Sequence, residues 1–424
     1  MRKKTNGDIQ RRDVLKGIAA GAATSPFLVS ARALGLEDVP AASERVTIGH
    51  IGFGGRGGAV FGGIRQSQDA ESVAVADCYQ NKRERFVGIT GGKAYADFRD
   101  LLADDGIDGV VVATPDHWHV PIAIAAARAK KDAYVEKPLG ISLEQDVICQ
   151  KVFEENKRIF QYGTQQRSMR HCWQACEQVR RGAIGKVIAM EVDAPNGGAG
   201  GSTTEVPIPE GFDYDMWLGP APVTPFTADR CKPPGTYWIY DQSIGYLGGW
   251  GAHPLDLMVW GSEADISGLV VVEGTGDIPT EGLYDCVWNW DMQIKLGDVD
   301  LVFKPGGDRT KFIGEDGWIT VSRNSGKTTA SDPAIMTEEL DPEDDILVRS
   351  THHQDNFVQS IKSRELAVSP IADSVRSDVI SLLSDIAVRT GETITWDPSK
   401  QALVDPSDAA TALFSRPMRD PWTL

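Results

Sequence analysis

The chain has 424 residues, of which 41% are hydrophobic, and this size and composition predict two packed domains. A formal net charge of −17 argues against binding to nucleic acid or anionic lipid, which requires clustered Lys and Arg, and the expected partner is a small molecule. Six cysteines are too sparse for a disulfide scaffold, and Cys172 and Cys176 have no second ligand pair for zinc, so no metal is expected.

The first residues resemble a twin-arginine export signal. Arg11 and Arg12 precede a mildly apolar stretch over residues 17–31, and Ala31-Arg32-Ala33 offers small residues for cleavage. Residues 1–33 are therefore expected to be a signal peptide recognised by the twin-arginine export machinery, with a periplasmic or otherwise exported mature protein; the alternative is a disordered basic tail. Residues 34–44 are interpreted as a linker arm, and no membrane span is expected in the mature form.

A predicted strand over residues 45–51 runs into the glycine-rich turn Gly52-Phe53-Gly54-Gly55-Arg56-Gly57. Gly52 permits a tight turn, Gly54 lets a pyrophosphate approach the backbone, and Gly57 lets the following helix press against the strand. Asp77 ends the next predicted strand, over residues 72–76, where its carboxylate can accept hydrogen bonds from an adenosine ribose. The pattern predicts a bound dinucleotide.

The type of dinucleotide follows from charge. Asp77 should repel a 2′-phosphate, which favours NAD, although Lys82 and Arg83 just downstream leave NADP possible.

Strands and helices alternate over residues 45–163. Further strands are predicted over residues 109–113, 133–136 and 158–162, with helices over residues 98–102, 122–130 and 143–156. This alternation predicts an α/β fold with a doubly wound parallel sheet. Residues 164–424 are interpreted as an α+β substrate and oligomerisation domain with a mainly antiparallel sheet, because strand patterns over 187–194, 269–273, 286–296, 299–304 and 318–322 are joined by short turns.

Three further motifs complete the pattern: Ala113-Thr-Pro-Asp-His-Trp-His119, Tyr134-Val-Glu-Lys-Pro138 and Gly163-Thr-Gln-Gln-Arg-Ser168. Together with the glycine turn, they resemble those of the glucose–fructose oxidoreductase / inositol dehydrogenase / MocA family. The resemblance implies a Rossmann domain, an open-faced sheet domain that commonly forms homo-oligomers, and hydride chemistry on sugars or cyclitols. It also implies that Thr114, Pro115, His119 and Glu136 line the nicotinamide side; the alternative for that loop is a solvated turn with Trp118 packed beneath it.

Lys137 is the first catalytic candidate, and the family motif assigns it that role. A lysine held beside the nicotinamide and partly removed from water has a lowered pKa, so it can exchange a proton with a substrate hydroxyl. Glu136 could hold this ammonium in place and contribute to the cofactor site together with Lys137.

His253 is the second catalytic candidate. Pro254 and Asp256 suit the first turn of a helix, which predicts His253 at or beside the helix N-cap, Asp256 serving the helix terminus, and a neutral imidazole able to act as a base. Many family members carry Asp four residues before this His, where this chain has Gly249. Either Asp241, Asp116 or another acid reaches the site, or the proton transfers are divided differently.

Substrate contacts are predicted from two segments. Gln165 and Arg167 open the second domain beside the cleft, although a structural role is equally open for the Arg. The irregular segment 195–249, a long loop of the kind that is usually functional, contributes Tyr240 and Asp241, and Tyr240 or the following Trp250 could stack on a sugar face.

Export and a nicotinamide cofactor together favour an oxidoreductase that holds its cofactor tightly while it oxidises a sugar or glycoside hydroxyl to a ketone. A redox-neutral NAD-dependent glycosidase and a non-catalytic sugar-binding protein are the alternatives.

Overall fold

The computed structural model describes residues 40–262, 268–337 and 340–424. The predicted signal peptide and most of the predicted linker arm lie outside the described residues. The chain divides into two compact units, Met1–Arg45 and Val46–Leu424. The described part of the first unit contains a short 3-10 turn, Ala42–Glu44, and both β-sheets belong to the second unit.

Six parallel strands form the first sheet, in the order β3-β2-β1-β4-β5-β6. They are β1 Val46–Ile51, β2 Ala70–Ala76, β3 Lys93–Tyr95, β4 Gly109–Val112, β5 Asp132–Val135 and β6 Phe160–Tyr162. Successive side chains of β4 pack on opposite faces of the sheet: Val110 and Val112 join one apolar cluster and Val111 another. Burial on both faces explains the continuous apolar runs in the sequence.

Five helices connect these strands: α1 Gly55–Ile64, α2 Gln80–Thr90, α3 Phe98–Leu102, α4 His119–Arg128 and α5 Leu143–Asn156. The side chains of Asp97 and Ser142 cap α3 and α5, and this explains why both begin where the sequence predicted. Gly54 precedes α1 and has no side chain to cap it, so the first amide groups of α1 stay available to a ligand.

Nine strands form the second sheet, in the order β13-β12-β11-β7-β10-β9-β8-β14-β15. They are β7 Val187–Ala194, β8 Val270–Asp277, β9 Asn289–Leu296, β10 Val299–Pro305, β11 Arg309–Gly314, β12 Trp318–Ser322, β13 Lys327–Ala330, β14 Ile394–Asp397 and β15 Ala402–Leu403. Within this second sheet, β7 and β10 are the only parallel pair among the described strands. The predicted α/β architecture, a Rossmann sheet followed by a mainly antiparallel one, is confirmed.

The remaining helices are α6 Arg170–Arg180, α7 Tyr214–Leu218, α8 Gly235–Trp238, α9 Tyr246–Gly249, α10 Ala252–Gly261, α11 Ala334–Thr337, α12 His353–Ser363, α13 Ile371–Thr390 and α14 Asp408–Ala412. Helices α10 and α13 cover one face of the second sheet. On β9, Met292 and Ile294 point into this core, whereas Gln293 and Lys295 are exposed on the other face. Within the described ranges, no helix is long and apolar enough to cross a bilayer.

Candidate functional site

A cleft of about 230 Å³ lies beyond the carboxyl ends of β1 and β4, where the strand order of the first sheet reverses. Ligands of doubly wound sheets bind at this position. Its walls come from the glycine turn, from Asp77 and from Ala113, Thr114 and Pro115. The segment 195–249 contributes the opposite wall, which includes Trp217 and Tyr237.

The glycines of the turn serve two purposes: Gly52 and Gly57 avoid clashes with backbone, whereas Gly54 and Gly55 leave open space beside the helix. Gly52 has a φ of +87°, and a Cβ there would lie 2.5 Å from the carbonyl oxygen of Ala113. A Cβ at Gly57 would lie 2.1 Å from the carbonyl oxygen of Gly52, so helix α1 can approach strand β1 only with glycine at that position. Gly54 and Gly55 are not crowded: a Cβ at Gly55 would meet nothing within 4 Å. The open space at the start of α1 suits a pyrophosphate on the free amides and the positive helix end.

Asp77 is held rigidly at the adenosine end of the cleft. Its Oδ2 accepts a hydrogen bond from the Phe53 amide at 2.7 Å, and its Oδ1 accepts one from the Tyr79 amide at 2.9 Å. The ammonium of Lys82 lies 3.9 Å from Oδ1 and also 3.9 Å from the centre of the Tyr79 ring. The carboxylate is therefore oriented towards a ribose and has a cation at its side.

Glu136 marks the opposite end of the site. Its Oε1 accepts hydrogen bonds from Arg56 Nε at 2.7 Å and from Gln165 Nε2 at 3.2 Å. Its Oε2 and the hydroxyl of Thr114 are buried and have no partner in the described part of the chain. Two orphaned polar atoms at the carboxyl ends of β4 and β5 fit a bound group that brings its own hydroxyl or amide donors, as the nicotinamide riboside of NAD does.

His119 has a different place from the one predicted. Its Nε2 lies 2.9 Å from the Thr114 carbonyl oxygen and its Nδ1 lies 2.7 Å from the Pro138 carbonyl oxygen. The ring therefore bridges the loop that contains Thr114 and the loop that contains Pro138. Pro115 does line the cleft. Trp118 packs below the loop and donates its indole N–H to the Met216 carbonyl at 3.1 Å. The loop both lines the cleft and has a packed underside.

Lys137 follows Glu136 directly, and its Nζ donates a hydrogen bond to the Gly249 carbonyl oxygen at 2.9 Å. Burial lowers the pKa of Lys137, while the nearby carboxylates of Glu136 and Asp116 oppose that shift. The backbone of Gly249 thus contacts the lysine at the position where many family members supply an Asp.

Of the two acids considered from the sequence, Asp116 lies close enough to Lys137 to affect its pKa. It is buried, its Oδ2 accepts a hydrogen bond from the Ser243 hydroxyl at 2.7 Å, and burial raises its pKa. Asp241 does not reach the site. It lines a separate cavity of about 280 Å³ that shares no lining residue with the cofactor cleft.

Tyr240 belongs to that separate cavity as well, contrary to its predicted role in substrate binding. Its ring lies between two guanidinium groups, with Arg389 at 3.2 Å and Arg416 at 3.4 Å from the ring centre. Stacking on a sugar is excluded because both faces of the ring are covered.

His253 is buried at the start of α10, but not at the N-cap. The helix begins at Ala252 after Gly251, so His253 is its second residue. Burial is the main cause that lowers the pKa of His253 well below its ordinary value, and the cations Arg323 and Lys137 add to it. A neutral imidazole is the expected form, with burial rather than the helix terminus as the chief reason.

Arg167 and Asp256 form a buried ion pair, which corrects both of their predicted roles. Arg167 is 1% exposed, donates to Asp256 Oδ1 from NH2 at 2.6 Å, and reaches Asp373 at 2.8 Å. These contacts leave Arg167 unable to reach a substrate. Asp256 serves this pair instead of the helix terminus.

Two residues at the site have no local sequence signal. Gln166 lies between the predicted Gln165 and Arg167 in a 3-10 turn, Gln165–Ser168, and its Oε1 is 3.0 Å from His253 Nδ1. Arg323 comes from the end of β12; its guanidinium lies 5.3 Å from the centre of the Trp250 ring, which in turn lies 5.8 Å from the imidazole of His253. Trp250 therefore lies beside His253, and its predicted stacking on a sugar stays a prediction.

Family models agree with this geometry. Residues 46–164 match the model described as "Oxidoreductase family, NAD-binding Rossmann fold", and residues 198–424 match "Oxidoreductase family, C-terminal alpha/beta domain".

Similar proteins include dehydrogenases and glycosidases. A myo-inositol 2-dehydrogenase of Thermotoga maritima is 31% identical over 171 residues, 39% of this chain and 47% of that protein. An alpha-N-acetylgalactosaminidase of Shewanella oneidensis is 29% identical over 180 residues, 36% of this chain and 38% of that protein. This chain thus spans under half of the length of either relative.

The structure of the WlbA dehydrogenase of Bordetella pertussis, in complex with NADH and UDP-GlcNAcA, matches with a TM-score of 0.63 and 15% identity, over 82% of this chain and 98% of the other. That likeness supports the fold. With both family models matched in order along the chain, the protein belongs to the Gfo/Idh/MocA family of oxidoreductases and has an NAD-binding Rossmann domain.

Proposed function

We propose that the protein is an exported, NAD-dependent oxidoreductase that oxidises a ring hydroxyl of a sugar or glycoside to a ketone. The proposal is supported by two buried groups with lowered pKa values, Lys137 and His253, which are close enough for the charge of Lys137 to lower the pKa of His253; Lys137 follows Glu136, whose carboxylate is bonded to Arg56 in the wall of the cleft. Burial disfavours the charged form of both groups, and a deprotonated group beside the substrate hydroxyl is what the oxidation of an alcohol requires.

Bound NAD⁺ would supply the hydride acceptor. The neutral amine of Lys137 takes the hydroxyl proton as the carbonyl forms, and its hydrogen bond to the Gly249 carbonyl fixes the direction of Nζ. The imidazole of His253 relays that single proton away from Lys137. Trp250 packs beside His253 and offers an apolar face for the sugar ring.

Tight retention of the cofactor is part of the proposal. The segment 195–249 joins the Rossmann domain at the adenosine end: the Gln80 amide donates to the Gly211 carbonyl at 2.8 Å, and the Asp213 amide donates to the Cys78 carbonyl at 3.0 Å. Between these bonds the rings of Tyr79 and Phe212 stack with their centres 3.9 Å apart. We name residues 211–213 with residues 78–80 the adenosine clasp.

The clasp supports a cofactor that stays bound between turnovers. A retained cofactor suits an exported protein, since free nicotinamide nucleotides are scarce outside the cell. The reduced form must then return its hydride to a second carbonyl substrate. Export by the twin-arginine route, a periplasmic location and assembly into homo-oligomers remain proposals that rest on the sequence and on the family resemblance.

The decisive experiment starts with protein purified in its mature form without added nucleotide. Denaturation and mass spectrometry should release about one NAD per chain. Incubation with a panel of sugars and glycosides should then give keto-sugars by mass spectrometry, and none with Lys137→Met. Nucleotide-free protein that binds NAD only at millimolar concentration would contradict the retained cofactor, and nucleotide-loaded protein inert towards the whole panel would contradict the oxidoreductase.

A redox-neutral glycosidase is the second candidate. Gly249, in place of the family's Asp, and the alpha-N-acetylgalactosaminidase relative favour it. In this route transient oxidation acidifies a neighbouring C–H, the anomeric substituent leaves, water adds, and the hydride returns to the sugar. Aryl glycosides separate the two candidates, because the glycosidase releases the aglycone without accumulating ketone, whereas the oxidoreductase accumulates ketone with the glycosidic bond intact.

A further inference from the structure

We infer that Gln166 is a positioning residue that holds His253 in the tautomer protonated on Nδ1 and thereby leaves Nε2 as the proton acceptor. This inference rests on the proposed function for its catalytic meaning. The tautomer itself is a property of the folded protein, whether or not the substrate is known.

The orientation of the Gln166 amide follows from its partners. Its Nε2 lies 3.1 Å from the His253 carbonyl oxygen and 2.9 Å from Asp256 Oδ2. A backbone carbonyl and a carboxylate held by Arg167 both accept hydrogen bonds, so the NH₂ group must face them. The amide oxygen then faces His253 Nδ1 at 3.0 Å. Since an amide oxygen only accepts, Nδ1 must carry the proton.

The amide is held in that orientation by a buried ion-pair network. Arg167 donates from Nε to Asp256 Oδ2 at 2.9 Å, and from NH1 to Asp373 at 2.8 Å and to the Val368 carbonyl at 3.0 Å. Gln166 and Asp256 are both fully buried. Rotation of the amide by 180° would point its oxygen at two acceptors and its NH₂ group at Nδ1, at the cost of two buried hydrogen bonds.

The consequence concerns the other ring nitrogen. In a neutral imidazole protonated on Nδ1, Nε2 carries the lone pair and is the nitrogen that can accept a proton. A neutral amide also leaves the pKa of His253 low, whereas a carboxylate at the same place would raise it by stabilising the imidazolium. Gln166 thus supplies the orientation that an Asp at position 249 would supply in many relatives, without adding negative charge.

The test compares Gln166→Leu, Gln166→Glu and a matched control, Gln161→Leu. Gln161 is equally buried and donates to the His353 carbonyl, on a different histidine. Each variant is labelled with ¹⁵N-histidine, and the His253 signals are assigned by their loss in His253→Asn. The ring nitrogen shifts report the tautomer without reference to activity, and pH profiles of kcat report the base.

We expect a single Nδ1–H tautomer in the natural protein and in Gln161→Leu. Gln166→Leu should give a mixed or Nε2–H tautomer and a kcat at least about tenfold lower, with KM little changed. Gln166→Glu should keep the Nδ1–H tautomer and move the acidic limb of the profile to higher pH.

A folded Gln166→Leu protein whose His253 keeps the Nδ1–H tautomer would overturn the inference, as would an Nε2–H tautomer in the natural protein. If Gln166→Leu fails to fold, an unshifted acidic limb in folded Gln166→Glu overturns it instead. A correct tautomer in a protein inert towards every sugar would count against the proposed function and leave the positioning role standing.

Discussion

Lys137 differs from an ordinary surface lysine because burial lowers its pKa and a backbone carbonyl fixes its Nζ. Lys137→Met removes the proton acceptor, and Lys137→Arg keeps a cation that cannot be deprotonated, so both should lower kcat by about 100-fold or more. Retained nucleotide, measured by mass spectrometry, shows that the fold survives. Lys151→Met, on the exposed face of α5, is the matched control. Near-natural turnover in Lys137→Arg would contradict a role for Lys137 in proton transfer.

Arg323 acts on the site through charge. Its Nε donates to Asp308 at 2.7 Å, and its positive charge contributes to the lowered pKa of both His253 and Lys137. Removing the cation in Arg323→Met should raise both pKa values, so the acidic limb of the kcat/KM profile should move to higher pH. Arg323→Lys keeps the charge and should show a smaller shift. Identical limbs in both variants would show that Arg323 acts by packing on Trp250 alone.

At the start of α1, Gly57 and Gly55 differ in whether the fold requires glycine: Gly57 is crowded by backbone, and Gly55 is not. Gly57→Ala places a Cβ 2.1 Å from backbone and should lower the thermal midpoint and abolish nucleotide retention. Gly55→Ala meets no atom within 4 Å and sits in a helix, so the apoprotein should be as stable or slightly more stable. Calorimetry of both variants, stripped of nucleotide, tests this contrast. Equal losses of stability would show that the turn tolerates no side chain anywhere.

Helices α5 and α13 bring two carboxyl groups together in the core. Asp378 Oδ2 accepts from the Gly140 amide at 3.2 Å, and Asp146 is fully buried beside it. Burial raises the pKa of both; Asp378 adds to the rise at Asp146, whereas a hydrogen bond from Asp146 partly offsets the rise at Asp378. Because the folded pKa lies above the unfolded one, the contribution to stability is fully present at acidic pH and is lost as pH rises through the raised pKa.

Asp378→Asn removes one of the two carboxyls and should therefore reduce the loss of stability with rising pH. Between the unfolded pKa and the raised folded pKa, the natural protein should lose up to about 1.4 kcal/mol of unfolding free energy per pH unit for each such carboxyl, and the variant should lose less. Urea unfolding at several pH values between 5 and 9 measures the difference. Parallel curves for the two proteins would mean that the carboxyl pair is ionised alike in both states.

For the whole molecule, the adenosine clasp links the long irregular segment to the Rossmann domain. Phe212→Ala removes the stack on Tyr79 and should speed the loss of nucleotide during dialysis, measured by mass spectrometry of the retained protein. Ile208→Ala is a suitable control, since Ile208 lies in the same segment but is 50% exposed. Equal retention in both variants would show that the clasp does not govern release.

The sequence by itself determined the features that depend on neighbours along the chain. The glycine turn, Asp77 after β2, the Glu136-Lys137 pair after β5 and the alternation that specifies the first sheet all follow from strand periodicity and from the rule that parallel strands end at one edge. Short edge strands such as β3 and β13 escaped prediction, because three or four residues show no clear period.

Only the tertiary structure decided which side chains face the site from irregular backbone. Gln166 and Arg167 are adjacent in a 3-10 turn. Gln166 nevertheless contacts His253, whereas Arg167 forms ion pairs with Asp256 and Asp373. Tyr240 and Asp241, predicted at the site, line another cavity instead. Arg323, which follows the distant strand β12, lies against Trp250 at the site. In such segments side-chain direction is set by long-range hydrogen bonds and packing, and no local period along the chain encodes it.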